Sequence, residues 1–156
     1  MSISDIKNKI VYLFNLPFFT NKKFIVSIWL IVSFFSAFKQ YLIGRYNNYF
    51  IFKNVFYHTI NKLNLYAEYP SEYFDHNHYG PLFSIVIAPF AILPDYLGLP
   101  LWGLFNGGVL AYAILQLPLK SSQINAVLWI CLHELLTTLL GVQFNPLMVE
   151  IGRAHV

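Results

Sequence analysis

An all-α, polytopic membrane protein is the fold class this sequence predicts. Hydrophobic residues fill 57% of its 156 positions and charged residues only 11%, where a soluble domain carries about 25% charged residues. The apolar residues also gather into uncharged runs that approach the ~20 residues needed to cross a bilayer. Aromatics, at 19%, add to this, because Tyr and Trp favour membrane–water interfaces. The length allows one ordinary domain. The net charge of +3 is small and mostly N-terminal, so it bears on orientation and gives no support for a nucleic-acid partner. The single cysteine, Cys131, lies in an apolar run and leaves no internal disulfide or cysteine metal cluster to form.

The N-terminal segment carries Lys7, Lys9, Lys22 and Lys23 against Asp5 alone. Ile10, Leu13, Phe14 and the run Pro17 to Phe19 suit it to a membrane surface. Lys-rich flanks mark the cytoplasmic side, so the N-terminus is expected there. A cleavable signal pattern is not evident, and the first span is expected to act as the uncleaved insertion signal. That span is 24–43, where FIVSIWLIVSFFSAF is uncharged and Lys39 can snorkel to the far interface. Residues 44–80 then form an extracytoplasmic loop holding Glu68, Glu72, Asp75, His58, His76, His78 and seven of the eleven tyrosines. Tyr49, Phe52, Phe56, Ile60 and Leu63 recur there at helical spacing, with Lys53, Asn54, His58, Asn61 and Lys62 mainly between them. That pattern predicts an amphipathic helix lying in the interface.

From Leu65 to Gly80 the sequence is irregular. Pro81 can open a helix, since its missing N–H is not needed there. Further spans are expected over 81–94, 99–118 and 124–140, the first two forming a tight hairpin across PDYLGLP. The last gives way to a break at GVQFNP, Gly141 to Pro146. IGRAHV, Ile151 to Val156, resembles a translated sequencing-library adapter, so residues 150–156 are set aside and the natural chain is expected to run on past them.

Asp75 with His76 and His78, near Glu68 and Glu72, is the strongest chemical cluster. A loop carboxylate can act as general base towards an acceptor hydroxyl, or bind a divalent cation through oxygen. A solvated loop with interfacial tyrosines is the competing reading. The His-x-His spacing alone fixes no third or fourth zinc ligand. Arg45 offers a planar fork to a lipid-linked phosphate, or serves as an interfacial anchor. Glu134, with His133 before it, is an ionisable group at membrane depth. It faces a cavity or a partner, unless the helix is shallow and the carboxylate reaches the interface. Gln143 and Asn145 can present amides to a sugar or phosphate, or cap a broken helix. Asn106, Gly107 and Gly108 suit close helix packing, and Asp95 suits a turn or helix cap. Phosphate-cradling Gly-rich loops, nucleophile elbows and H-E-x-x-H are not found in the sequence.

Taken in order, Asn47-Asn48-Tyr49, Leu65-Tyr66, Tyr79-Gly80-Pro81-Leu82-Phe83, Leu93-Pro94, Leu101-Trp102 with Asn106, and Gln143 with Asn145-Pro146 form a series. It resembles the motif series of glycosyltransferase family 87. These are multi-pass GT-C enzymes related to the polyprenyl-phosphate-mannose-dependent mannosyltransferases. The similarity runs roughly from Arg45 to Val149. It implies a GT-C-like fold in the bacterial inner membrane. It also implies transfer of a hexosyl unit, with mannose the expected sugar, from a polyprenyl-phosphate donor to an extracytoplasmic glycan or lipid acceptor. The implied substrate-binding residues are Arg45, Asn47, Asn48, His78, Tyr79, Glu134, Gln143 and Asn145. Where the family has an early-loop acid this chain has Asn48, which cannot act as a base, so Asp75, Glu68 and Glu72 become the candidate catalytic carboxylates. No cofactor is demanded, a divalent cation being the open option. Two other readings stand beside it. Breaks at Pro89 and Gly141, with Glu134, would also suit a transporter or flippase subunit. Asn48 argues for a non-catalytic membrane scaffold.

Overall fold

The computed structural model describes residues 2–14 and 16–145; Pro146 and the adapter-like tail fall outside them. The described residues are helical and contain no strand. The elements are α1 (Ile3–Phe14), α2 (Pro17–Thr20), α3 (Lys22–Leu42), α4 (Asn47–Ile60), α5 (Pro81–Ala91), α6 (Asp95–Leu115) and α7 (Ser121–Leu140). Among the described residues, α3, α6 and α7 are the helices long and apolar enough to span a membrane. The chain is a membrane-embedded helical protein.

α3 begins where the Asn21 side chain accepts a hydrogen bond from the Phe24 amide at 3.2 Å, filling one of the orphan donors of a first turn. Its buried stripe is Ile25, Trp29, Ser33, Ala37 and Gln40, a helical repeat whose middle members are small. α6 faces it with Gly103 and Gly107. A Cβ on Gly103 would lie 2.6 Å from the Ala37 Cβ and 2.9 Å from the Ser33 carbonyl oxygen, and one on Gly107 would meet the Ser33 hydroxyl. Small residues four apart on both helices let the backbones approach, as membrane helices require when water supplies no driving force. Gly108, expected to share this packing, meets nothing within 4 Å. Gly103 takes its place because position 103 lies on the same face as 107, one turn back.

The pairings fix direction. Residue 103 meets 37 and 107 meets 33, so α6 runs antiparallel to α3. At the start of α7, the Asn125 amide donates to the Thr20 carbonyl at 2.8 Å and Trp129 packs edge-on to Phe19. Further along, the Trp29 indole donates to the Leu128 carbonyl. Leu135 and Leu139 reach the levels of Gly107 and Gly103. α7 therefore runs parallel to α3, and residue 141 emerges at the end where α3 finishes.

The Pro81–Ala91 stretch does not match the expected span over 81–94. It is an eleven-residue helix, about 16 Å long at 1.5 Å per residue, against a hydrocarbon core of about 30 Å. The expected turn across PDYLGLP also differs, because Asp95 to Pro100 already belong to α6. Pro94 is the N-cap, the Asp95 carboxylate favours the positive helix start, and Pro100 comes early in the helix.

α4 packs on α5 rather than resting on lipid alone. Its buried residues are Tyr49, Ile51, Phe52, Val55 and His58, while Ile60 and Leu63 are exposed. The apolar face is thus rotated from the expected one, and His58 belongs to it. A polar row on α4, Tyr49, Lys53 and Tyr57, explains the docking. The Tyr49 hydroxyl donates to the Phe90 carbonyl at 2.9 Å and the Tyr57 hydroxyl to the Ala91 carbonyl at 3.0 Å. Lys53 pairs with Asp95 at 2.6 Å. The end of α5 cannot continue through Pro94, so its last carbonyls need outside donors, and α4 supplies them.

Gly103→Ala is expected to cost about 1–3 kcal/mol through overpacking against backbone, while Gly108→Ala, with open space at its Cβ, is expected to raise stability by about 0.5–1 kcal/mol. Unfolding midpoints of the two variants in detergent micelles check this.

Candidate functional site

Three stretches meet at the end of the bundle reached by the C-termini of α3 and α7. The first is the start of α4. Here α3 ends in a left-handed Gly44 (φ +67°), with the Gly44 amide bonded to the Tyr41 carbonyl and the Arg45 amide to the Gln40 carbonyl. This glycine-dependent C-cap turns the chain sharply into α4. The second is the 65–80 segment. The third follows α7, which closes with the same bond pattern but with Val142 at φ +48°. A β-branched residue in that region is strained, and Val142 is held there by burial.

Asn side chains join these stretches. Asn47 donates to the Phe74 carbonyl at 2.7 Å and accepts from the Phe74 amide at 2.8 Å. Asn48 donates to the Gly141 carbonyl at 2.7 Å. Asn77, which the sequence did not single out, donates to the Leu65 and Tyr79 carbonyls and accepts from the Tyr79 amide. Tyr79 is thereby set against Phe52, Phe83 and Phe144. Burial raises its hydroxyl above the ordinary tyrosine range, which keeps it a neutral donor.

Two pockets lie on either side of Asn48. The larger, about 510 Å³, takes in Arg45, Asn47, Asn48, Glu72 and Gly141 with aromatic walls from Phe50 and Phe74. The smaller, about 360 Å³, is lined by Asn48, Asp75, His76, His78, Tyr79, Gln143 and Asn145. Asn48, Asp75, His78, Tyr79, Gln143 and Asn145, spread over almost a hundred positions, therefore share one cavity.

The three carboxylates are not equivalent. Asp75 faces the smaller pocket in a left-handed backbone conformation (φ +79°), its carboxylate accepting from the His76 amide at 2.7 Å. Asp tolerates that conformation better than most residues. Glu72 faces the larger pocket and bonds His58 at 2.8 Å. His58 is 3% exposed and packs on the Tyr69 ring at 4.0 Å. Its place on α4, reading as polar between apolar neighbours, concealed it in the sequence. Glu68 lines neither of these two pockets; it sits 3.4 Å from His76, both side chains exposed, an arrangement worth little energetically.

Glu134 is not brought into this cluster. It is exposed beside Leu135, whose neighbour Gly107 meets Ser33 in the middle of α3, so it sits at mid-depth on the outer face of α7. Gln143 and Asn145 hydrogen-bond each other at 2.9 Å. Among the described residues, no group of three His, Cys, Asp or Glu side chains is placed to hold a metal ion. The chemistry on offer is a carboxylate, two imidazoles, a phenol and amides in one cavity, beside a second cavity with a guanidinium and a carboxylate.

The bond to Gly141 also accounts for an amide at position 48. A carboxylate there has no hydrogen to donate and would face a carbonyl oxygen. Asn48→Asp is expected to lose about 1–3 kcal/mol, measured as a lowered unfolding midpoint at neutral pH. Tyr49 gives a pH test. Burial, with Asp95 and Tyr57 adding to it, holds its hydroxyl well above the ordinary value. The unfolded chain then releases this proton first, and stability falls as pH rises past about 10. Tyr49→Phe is expected to flatten that alkaline decline in a pH series of unfolding midpoints.

No family model, curated protein or solved structure matches the chain.

Proposed function

We propose that this chain belongs to a GT-C-type membrane glycosyltransferase like those of family 87. It would transfer a hexosyl unit, with mannose the expected sugar, from a polyprenyl-phosphate donor to a glycan or lipid acceptor on the extracytoplasmic face of a bacterial inner membrane. The observation carrying this reading is the cavity in which Asn48, Asp75, His78, Tyr79, Gln143 and Asn145 meet at one end of a membrane-spanning bundle. A lipid-linked donor needs a polar site at that level, with its tail left among the helices.

Asp75 is the base in this reading. The acceptor hydroxyl passes its proton to the Asp75 carboxylate while its oxygen bonds to the anomeric carbon of the sugar. The bond from that carbon to the phosphate oxygen breaks, and the polyprenyl phosphate leaves with the electron pair. Arg45, in the adjoining cavity, offsets the phosphate charge. Amides of Gln143 and Asn145 bond sugar hydroxyls. The transporter reading rests on a midplane site, and the mid-depth Glu134 lies outside both cavities at the bundle end.

The test is hexosyl transfer from a lipid-linked donor by the full-length protein. Asp75→Asn keeps the backbone conformation and is expected to lower transfer by about 100-fold or more, while Glu68→Gln leaves it near wild type. Undiminished transfer by Asp75→Asn contradicts the assignment.

A further inference from the structure

We infer that α1 is a membrane-surface helix that docks on anionic phospholipid headgroups at the end of the bundle opposite the two cavities. Two independent features carry this. The first is the helix itself. Ile3 and Ile6, one turn apart, are 86% and 40% exposed, an apolar edge left facing outward. In sequence the same spacing runs on through Ile10 and Leu13. At 100° per residue, positions 7 and 9 fall on either flank of that edge and position 5 falls away from it. Lys7 and Lys9 occupy the flanks and are exposed, while Asp5 takes the far side. Lysines at the boundary can lay their alkyl stems along hydrocarbon and lift their ammonium groups to phosphate level.

The second feature is the charge of that end. α2 is held to the start of α7 by the Asn125–Thr20 bond and the Phe19–Trp129 contact. α1 therefore leaves from the level where α3 and α7 begin. Lys7, Lys9, Lys22, Lys23 and Lys120 lie at this end against Asp5 alone. Glu68, Glu72, Asp75 and Asp95 all belong to the other end. The α1 lysines share this end with Lys22 and Lys23, where α3 enters the membrane, so the surface complementary to them is an anionic leaflet at that face. The inference does not depend on the glycosyltransferase reading.

The test uses the full chain with Cys131→Ser, carrying an environment-sensitive fluorophore on Ile6→Cys or, as control, on Asn8→Cys. The protein is placed in nanodiscs of phosphatidylcholine, with or without phosphatidylglycerol. With anionic lipid, the label at position 6 is expected to shift to the blue and resist aqueous iodide, and that at position 8 to stay quenchable. Lys7→Gln and Lys9→Gln each weaken docking about fivefold, at about 1 kcal/mol per lysine. Equal quenching at both positions overturns the inference. So does protection at position 6 that ignores lipid charge, which would instead mark an apolar contact with protein.

Discussion

The close approach of α3 and α6 is the constraint on which the rest depends. Ser33 and Ala37 face Gly103 and Gly107, and at that spacing a larger side chain on any of the four would separate the helices. The contact sets α6 antiparallel to α3. α7 then returns alongside both, tied at its start by Asn125 and Trp129. An up, down, up path brings the chain after Leu140 back to the level of the α3–α4 corner. With 81–94 as a further crossing, it would emerge at the opposite end, far from Asn48.

Polar chemistry at that end is held by amides more than by charges. Asn47 grips Phe74, Asn48 grips Gly141, and Asn77 grips both Leu65 and Tyr79. Each amide bonds backbone, and together they immobilise segments that have no regular structure of their own. Bonds of this kind are costly to break once partly buried. Asp75 is then free of structural duty beyond its own turn. It faces a cavity bounded by Tyr79 and the Gln143–Asn145 pair.

Much of this was legible in the chain. Long apolar runs located α3, α6 and α7 because burial in hydrocarbon leaves no alternative to continuous helix. Of the polar residues singled out along the chain, Asn48, Tyr79, Gln143 and Asn145 line one cavity, while Asn47 lines the neighbouring one. Local pattern could not show which helices cross. The α5 run is as apolar as a span, but its helix stops at Ala91, and it packs one face, with Ile87 and Ala91 buried, against α4 and the aromatic cluster of Phe52, Phe83 and Trp102. Nor could pattern reveal that His58 and Asn77 are buried, since each is polar and takes its partner from a different stretch. Glu134 was the converse case. Its depth was read from its apolar neighbours, but the side of α7 it occupies depends on where α3 and α6 sit.

The path of the chain is open to a direct measurement. In the Cys131→Ser background, single cysteines at Asn64 and Gln143 can be exposed to a membrane-impermeant thiol reagent on intact cells and on inverted vesicles. The two crossings between residues 64 and 143, α6 and α7, predict that both positions label from the same face. Labelling of Gln143→Cys only from the face opposite Asn64→Cys would contradict the shared site, and with it the function built on that site.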